Sequence, residues 1–564
     1  MKDTDPSDRA AGPPRLSRRD LLQGAGLGIG ALYIAGCGGT SQKLPSQAKQ
    51  TVEVASGIPG PPATGGQRGG SITIGWEQEG NSFDPAIGYD LVSWDSLCNC
   101  TTAPLMIFGA SGAGPYPNAA AAVRSSERDS VYTIHLRPGV RFQNGRAVTA
   151  EDYVYSWERL LDRKLASWAA SYLYTIDGAE AVFNGKAKSV RGLKVIDSMT
   201  LRVQLQSSDI TFPNILAQPY TAAVPREVVE KYGSNFARHV VSTGPFMLSS
   251  YDSAGQTCTF RRNPHYFWKG LPYLDSVVYR WGSSAQTELL QLEHGNIDSI
   301  GEGIGPSLVP QVYAQSSLRK YVLKVALPAV RWIGLNLHRH PFTDVRVRQA
   351  LNYAVDRPAI ARIGYGEGVA WGLPFPRTLP DFHRVATQYG YNPEKARALL
   401  HAAGAENASF TLTSTSDDPN PSIAQVLQQQ FKAVGVNMSI DTVSDNAYNT
   451  ATEDKNFTAA PVHWYQVQPT ALDILSSNYI SNGSSNYWNY SDHRVDSLAQ
   501  QALRAPSAAQ SNAYLAQAER LIADDAPGIF LESLNFIDGR NPNLHNFHYN
   551  VFYGTYYDRL WKAT

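Results

Sequence analysis

The chain has no net charge: 49 lysines and arginines balance 49 aspartates and glutamates, and no basic stripe or lysine-arginine block interrupts them. A nucleic-acid partner would demand many phosphate contacts, so none is expected. No apolar run reaches the roughly 20 residues that a helix needs to cross a bilayer, which excludes an integral transporter. Catalytic signatures are also missing. The chain holds no G-x-S-x-G elbow, no H-E-x-x-H helix and no G-x-x-x-x-G-K-[ST] phosphate loop. Gly109-Ala110-Ser111-Gly112-Ala113 comes nearest to the elbow but ends on alanine and reads as a turn. His338-Arg339-His340 offers two imidazoles without a third placed ligand and reads as a loop before Pro341. No metal site and no cofactor are expected, and ATP-driven work falls to a partner. Cysteine is scarce, with only four in the chain, and their spacing matches no zinc pattern.

One of those four has a context of its own. Arg18 and Arg19 precede a short, glycine-rich apolar run from Leu21 to Gly36, which reads as an export signal of 1–37; the paired arginines fit a twin-arginine signal, and a Sec signal remains open. Ile34-Ala35-Gly36-Cys37 resembles the lipobox of bacterial lipoproteins, which implies that Cys37 becomes the N-terminus and carries lipid. Each buried CH₂ adds about 0.8 kcal/mol of membrane affinity, so two or three acyl chains hold where one does not. Residues 38–70, with PGPPATGGQRGG, cannot bury enough apolar surface to fold and read as a tether. The expected location is outside the cytoplasm, on the outer face of the cytoplasmic membrane or in the periplasm. There an exported protein meets oxidising conditions, so a disulfide from Cys258 to either Cys98 or Cys100 is expected, with one thiol left over.

The body from Ser71 to Thr564 is roughly 500 residues, enough for two or three globular units. Its 30 tyrosines and 11 tryptophans suit a protein that wraps a small solute. Tyr132–Leu136 alternates like a strand, Arg137-Pro138-Gly139 and Asn144-Gly145 mark turns, and Thr149 caps a helix that buries Tyr153, Trp157, Leu160 and Leu161. Asp344 caps another whose Val347, Ala350, Leu351, Ala354 and Val355 form one stripe, and Asp356-Arg357-Pro358 starts the next. The mixture of strands and helices places the chain in the α/β or α+β class.

These segments also carry a resemblance. YTIHLRPGVRFQNGRAVTAEDYVYSWERLLD from Tyr132 is similar to the signature region of the family 5 extracellular solute-binding proteins, the peptide- and nickel-binding group of ABC importers. STGPFMLSSYD from Ser242, RRNPHYFWKGLPYLDSVVYRW from Arg261, PFTDVRVRQALNYAVDRPAI from Pro341 and YNPEKARALLHAAG from Tyr391 resemble its successive landmarks in order. The resemblance implies an α/β, two-lobed clamp of the periplasmic-binding type with an extra subdomain. One lobe is expected over 71–305 plus 535–564, the other over 322–534, with the crossings as hinge. It further implies a non-enzymatic, monomeric receptor that delivers a peptide or other small solute to an ABC permease and its ATPase. The rivals are an oligosaccharide or cationic solute in the same fold and, from another class, a lipid-anchored hydrolase.

Peptide-binding members of that family pair a ligand's α-amine with an aspartate in a W-x-x-D-x-x-x-P segment. Here His463-Trp464-Tyr465-Gln466-Val467-Gln468-Pro469 keeps the tryptophan and proline, shortens the gap and reaches no acid until Asp473. Where dipeptide binders present an arginine to the ligand carboxylate, the chain has Asp417 and Asp418. The expected ligand-binding residues are Tyr89, Trp371, Asp417, Asp418, His463, Trp464, Tyr465 and Gln466. Strand alternation puts Trp464 and Gln466 on one face and His463 and Tyr465 on the other, so only one pair can line the cleft fully.

Overall fold

The computed structural model of the protein describes residues 66–564 apart from 110–111, 127–128, 380–381, 417–418, 548 and 564. The export signal with Arg18 and Arg19, Cys37 and nearly all of the tether therefore lie outside the described residues, as do Ser111, Asp417 and Asp418. The fold is mixed α/β, organised on one 11-stranded sheet. From one edge its strands run Asn437–Thr442, Ser409–Ser414, Ala459–Tyr465, Val322–Leu335, Gly528–Arg540, Ser299–Ile300, Ser71–Trp76, Ser276–Trp281, Thr257–Arg262 and Phe246–Asp252. Gly368–Ala370 pairs beside Gly528–Arg540, opposite Glu532 to Leu534.

The two long central strands pair with each other along most of their length, antiparallel, from Val322 opposite Gly539 to Gly334 opposite Gly528. The register slips between Ala326 and Val330, where Pro328 has no N–H to give a ladder. On one side of that slip lies the core of Ile72, Ile74, Trp76, Phe246 and Tyr279. On the other, two apolar clusters cover the opposite faces of the sheet, one around Ile333, Leu351 and Phe431, the other around Trp332, Tyr479 and Trp488.

A four-stranded sheet, ordered Ala120–Ser126, Val131–Leu136, Thr200–Gln204 and Leu193–Asp197, stands apart with its own core. The helix Ala150–Leu160 packs there. Its start is fixed by Thr149 N–H donating to Asp152 Oδ2 at 2.8 Å, and Tyr153, Trp157, Leu160 and Leu161 are all at most 1% exposed. The turn before it is held by Gly145 at φ +89°, a conformation that glycine adopts without strain. Asp344 caps Val345–Ala354 through Arg346 N–H at 2.8 Å, and Asp356 caps Arg357–Ile363 through Ala359 N–H at 3.1 Å.

The last residues close the first half. Trp94 Nε1 and Asn99 Nδ2 donate to the carbonyls of Phe552 and Tyr553 at 3.1 and 2.7 Å, and Asn550 Nδ2 donates to Gly109 O at 2.6 Å. Tyr557 and Tyr279 both donate to the buried Asp95 carboxylate, which burial nevertheless raises to about 6. Cys98, Cys100 and Cys258 are free thiols, so the expected disulfide is not formed. Cys258 sits mid-strand between Tyr251 and Tyr279, and Cys100 Sγ lies 3.9 Å from the Tyr279 hydroxyl.

One ion pair ties the first loop to the helix Ala150–Leu160. Asp84, in Phe83-Asp84-Pro85-Ala86, takes both terminal nitrogens of Arg159, with Nη1 at 2.9 Å from Oδ1, and side-chain exposure is only 12% for Arg159 and 3% for Asp84. Removing one partner strands the other charge, so Asp84→Ala is expected to lower stability by about 3–5 kcal/mol in urea unfolding at neutral pH. A loss below about 1 kcal/mol, the range of exposed pairs, would contradict this account.

Candidate functional site

The candidate site grows from charges set inside apolar strands. Arg331 lies in LPAVRWIGL and Glu532 in GIFLESLNFI, and the pairing register places them opposite each other, with His463 opposite Arg331 on its other side. Arg331 Nη1 donates to Glu532 Oε2 at 2.7 Å and Nη2 to Glu367 Oε1 at 3.1 Å. Burial opposes the Arg331 charge, but the two carboxylates outweigh it and hold the guanidinium protonated more firmly than water does.

His463 and Tyr465 project from the same face of Ala459–Tyr465, their rings edge to face with centroids 5.6 Å apart. Both are open to solvent, Tyr465 to 36%. They are nevertheless ringed by protein: burial, with the Arg331 charge adding to it, lowers His463 to about 4, and burial raises Tyr465 to about 12. Tyr549, stacked on Phe536 at 5.2 Å, lies within electrostatic reach of Tyr465. The imidazole is neutral at physiological pH and offers one donor and one acceptor.

The opposite face is more enclosed. Trp464 packs against the cluster of Val330, Trp332 and Trp488, and Gln466 is 4% exposed with neither amide atom hydrogen-bonded. The Val467 peptide then links distant segments: its N–H donates to Asp473 Oδ2 at 3.0 Å, and its carbonyl accepts from Gln218 Nε2 at 3.1 Å. Burial raises Asp473 to about 7, against the hydrogen bond from the Val467 backbone. The Trp464 indole N–H lies near enough to favour that carboxylate's charge, though its geometry falls short of a hydrogen bond. Beyond Gln218 stands a group of rings. Trp168 meets Tyr220 at 5.4 Å, Trp94 and Tyr172 at 6.1 Å each, and Tyr172 meets Tyr220 at 5.4 Å.

Of the residues expected from sequence, the structure brings His463 and Tyr465 together on the open face and turns Trp464 and Gln466 to the inner one. Tyr89 is half-buried, in a loop fixed by its own N–H to Asn81 Oδ1 and by Asp90 accepting from Asn81 and Ser93. Its neighbour Gly88 accepts from Trp168 Nε1 at 3.2 Å. Trp371 is 8% exposed within the apolar cluster beneath Trp464, its N–H bound to Phe375 O at 2.8 Å and Arg384 over its ring. Asp417 and Asp418 lie outside the described residues. Sequence reasoning missed Arg331, Glu367, Glu532, Gln218, Trp168, Tyr172 and Tyr220. Lone charges within the apolar runs around Arg331 and Glu532 were the available signal, since a charge is buried only when paired.

Comparison with known proteins follows the same lines. Residues 114–486 match the model of the bacterial extracellular solute-binding proteins, family 5. The glutathione-binding protein GsiB of Escherichia coli (strain K12) is 28% identical over 441 residues, covering 75% of this chain and 81% of that protein. Two solved structures share the fold: the unliganded open form of the periplasmic murein tripeptide-binding protein MppA, and clavulanic acid biosynthesis oligopeptide binding protein 2. The first gives a TM-score of 0.77 at 21% identity over 89% of this chain and 99% of that one. The second gives 0.80 at 22% identity over 88% and 96%.

The depressed His463 value has a signed consequence. Folding favours the neutral imidazole, so the stability it contributes is fully present above the unfolded value of about 6.5 and is lost as pH falls toward about 4. His463→Gln is expected to flatten the stability profile across that window, followed by thermal unfolding. An unchanged profile would remove His463 from the enclosed environment described.

Proposed function

Because the chain belongs to the family 5 bacterial extracellular solute-binding proteins, we propose that it is a lipid-anchored receptor that takes a peptide into the cleft beside His463 and Tyr465 and presents it to an ABC permease. The family serves ABC importers, and its members are binding proteins, not enzymes. The observation that carries the peptide-receptor reading is the His463–Tyr465 face, open to water and ringed by protein, on a sheet that passes through the Ala326–Val330 slip. That slip supports a hinge between a lobe of 71–305 with 535–564 and a lobe of 322–534. Closure is then a rigid-body movement biased by contacts that the ligand makes with both sides.

The named peptide and glutathione binders of this fold support a peptide solute. No acid follows Trp464 at the family's spacing and His463 is neutral, so at the His463–Tyr465 face recognition rests on ring faces, neutral hydrogen bonds and the peptide main chain. An oligosaccharide is the second reading, favoured by the same paired rings and by the free amide of Gln466. Thermal-shift measurement against free dipeptides, longer end-blocked peptides and oligosaccharides separates these. A ligand at 100 times its Kd adds about 2.7 kcal/mol of stability. Longer end-blocked peptides are expected to stabilise most and to be taken up only by cells that carry the protein. Stabilisation by free dipeptides that vanishes on blocking either terminus would overturn the neutral-recognition reading. The anchor is tested separately: Cys37→Ala is expected to appear in the soluble exported fraction, and retention on membranes at high salt would sink the lipid assignment.

A further inference from the structure

Resting on the receptor reading, we propose that the solute carries an organic cation, an alkylammonium or guanidinium group, held by Asp473 and the ring faces of Trp168, Tyr172 and Tyr220.

The carboxylate is the first reason. Asp473 is half-buried, accepts from the backbone N–H of Val467, and among the described residues meets no lysine, arginine or histidine. The side chains that face it from the packed segments are the phenols of Tyr172 and Tyr220, within its electrostatic reach, and the indole of Trp464. An asparagine could accept the same backbone hydrogen bond without the cost of burying a charge. The acid gains only when a cation arrives. Several buried charges elsewhere have ionic partners, Arg331 in Glu532 and Glu367, Asp84 in Arg159 and Glu519 in Arg384, whereas Asp95 and Glu288 share with Asp473 the lack of a cation among the described residues.

The rings are the second reason. Cations of the chain itself cover Trp268, Trp371, Tyr155, Tyr251 and Tyr353, at 4.0–5.3 Å from the ring centres. Among the described residues none covers Trp94, Trp168, Tyr172 or Tyr220, although Tyr172 and Tyr220 lie within electrostatic reach of Asp473. Trp168 and Tyr172 are only half-buried, so parts of their faces stay open. A cation over a tryptophan or tyrosine face is attracted by the ring quadrupole, more strongly where water is excluded. Gln218 places the two sets side by side: its side chain holds the Val467 carbonyl while Val467 N–H holds Asp473, and Tyr220 follows two residues later.

Gln466 is the third reason. Its amide is buried with neither atom bonded, one residue before Val467, whose backbone N–H donates to Asp473. A buried amide left unpaired is costly, and a polar group on the solute adjoining its cation satisfies it.

The test is calorimetric titration of the whole protein with two matched pairs: choline against 3,3-dimethylbutan-1-ol, and Nα-acetylarginine amide against Nα-acetylcitrulline amide. The charged member of at least one pair is expected to bind about ten-fold tighter than its neutral partner, and which pair responds tells alkylammonium from guanidinium. Asp473→Asn, nearly isosteric, should erase that preference while leaving the neutral member's affinity in place, and should raise the ligand-free thermal midpoint at neutral pH because no charge is then buried. Trp168→Leu should weaken the cation and spare its neutral partner. With burial holding Asp473 near 7, cation affinity should rise from about pH 6 to about pH 8, and the rise should vanish in Asp473→Asn. Equal affinity within both pairs, an unaffected Asp473→Asn, or no binding by any of the four probes at millimolar concentration overturns the proposal. The peptide and uptake measurements are independent of these probes, so a receptor that imports only neutral peptides loses this inference and keeps its function.

Discussion

Fourteen residues of Val322–Leu335 laid against thirteen of Gly528–Arg540 join two groups of strands into one sheet, and the rest of the molecule is arranged around that pairing. Each long strand runs on into a different set of neighbours. A strand rises about 3.3 Å per residue, so the pair extends for roughly 45 Å, more than a single layer of covering helices needs. The apolar cover accordingly divides, with separate clusters on either side of the register slip at Ala326–Val330. Between them the sheet is less fully roofed, and there His463 and Tyr465 reach water.

The same pairing explains why charge appears in the middle of the sheet. Arg331, Glu532 and His463 are consecutive partners across three strands, and Glu367 reaches the guanidinium from the turn before Gly368–Ala370. A row of this kind contributes little net stability, since desolvation offsets most of the attraction. It does make the register unforgiving. A slip of one residue would turn Arg331 into the apolar cover and leave both carboxylates without their partner. The imidazole beside that row stays uncharged, which suits a wall that meets ligands through hydrogen bonds.

Much of this was legible from the chain alone wherever the signal was local. Thr149 with Asp152 marks a helix start, and the stripe from Val347 to Val355 needs only the helical period. The order of the family's motifs gave the fold. Pairings between distant segments were out of reach: Arg331 and Glu532 are 201 residues apart, and nothing near either names the other. The alternation of His463 to Gln466 was readable, but which pair faces the cleft depends on where the cluster of Trp332 and Trp488 lies. Trp371 was expected at the ligand because it is large and amphipathic. The structure gives its N–H to Phe375 and its ring to Arg384, partners that sequence does not announce. The disulfide expectation rested on compartment and count, whereas the distance between thiols is set by the sheet.

The return of the last segment to the first strands bears on the order of events during synthesis. Trp94, Asn99 and Asp95 all wait for Phe552, Tyr553 and Tyr557. At about 5–20 residues per second a ribosome needs tens of seconds to make the intervening chain. Until those residues arrive the first half lacks one wall of its core, so the last segment of the chain, more than the first, decides when this protein becomes a finished body.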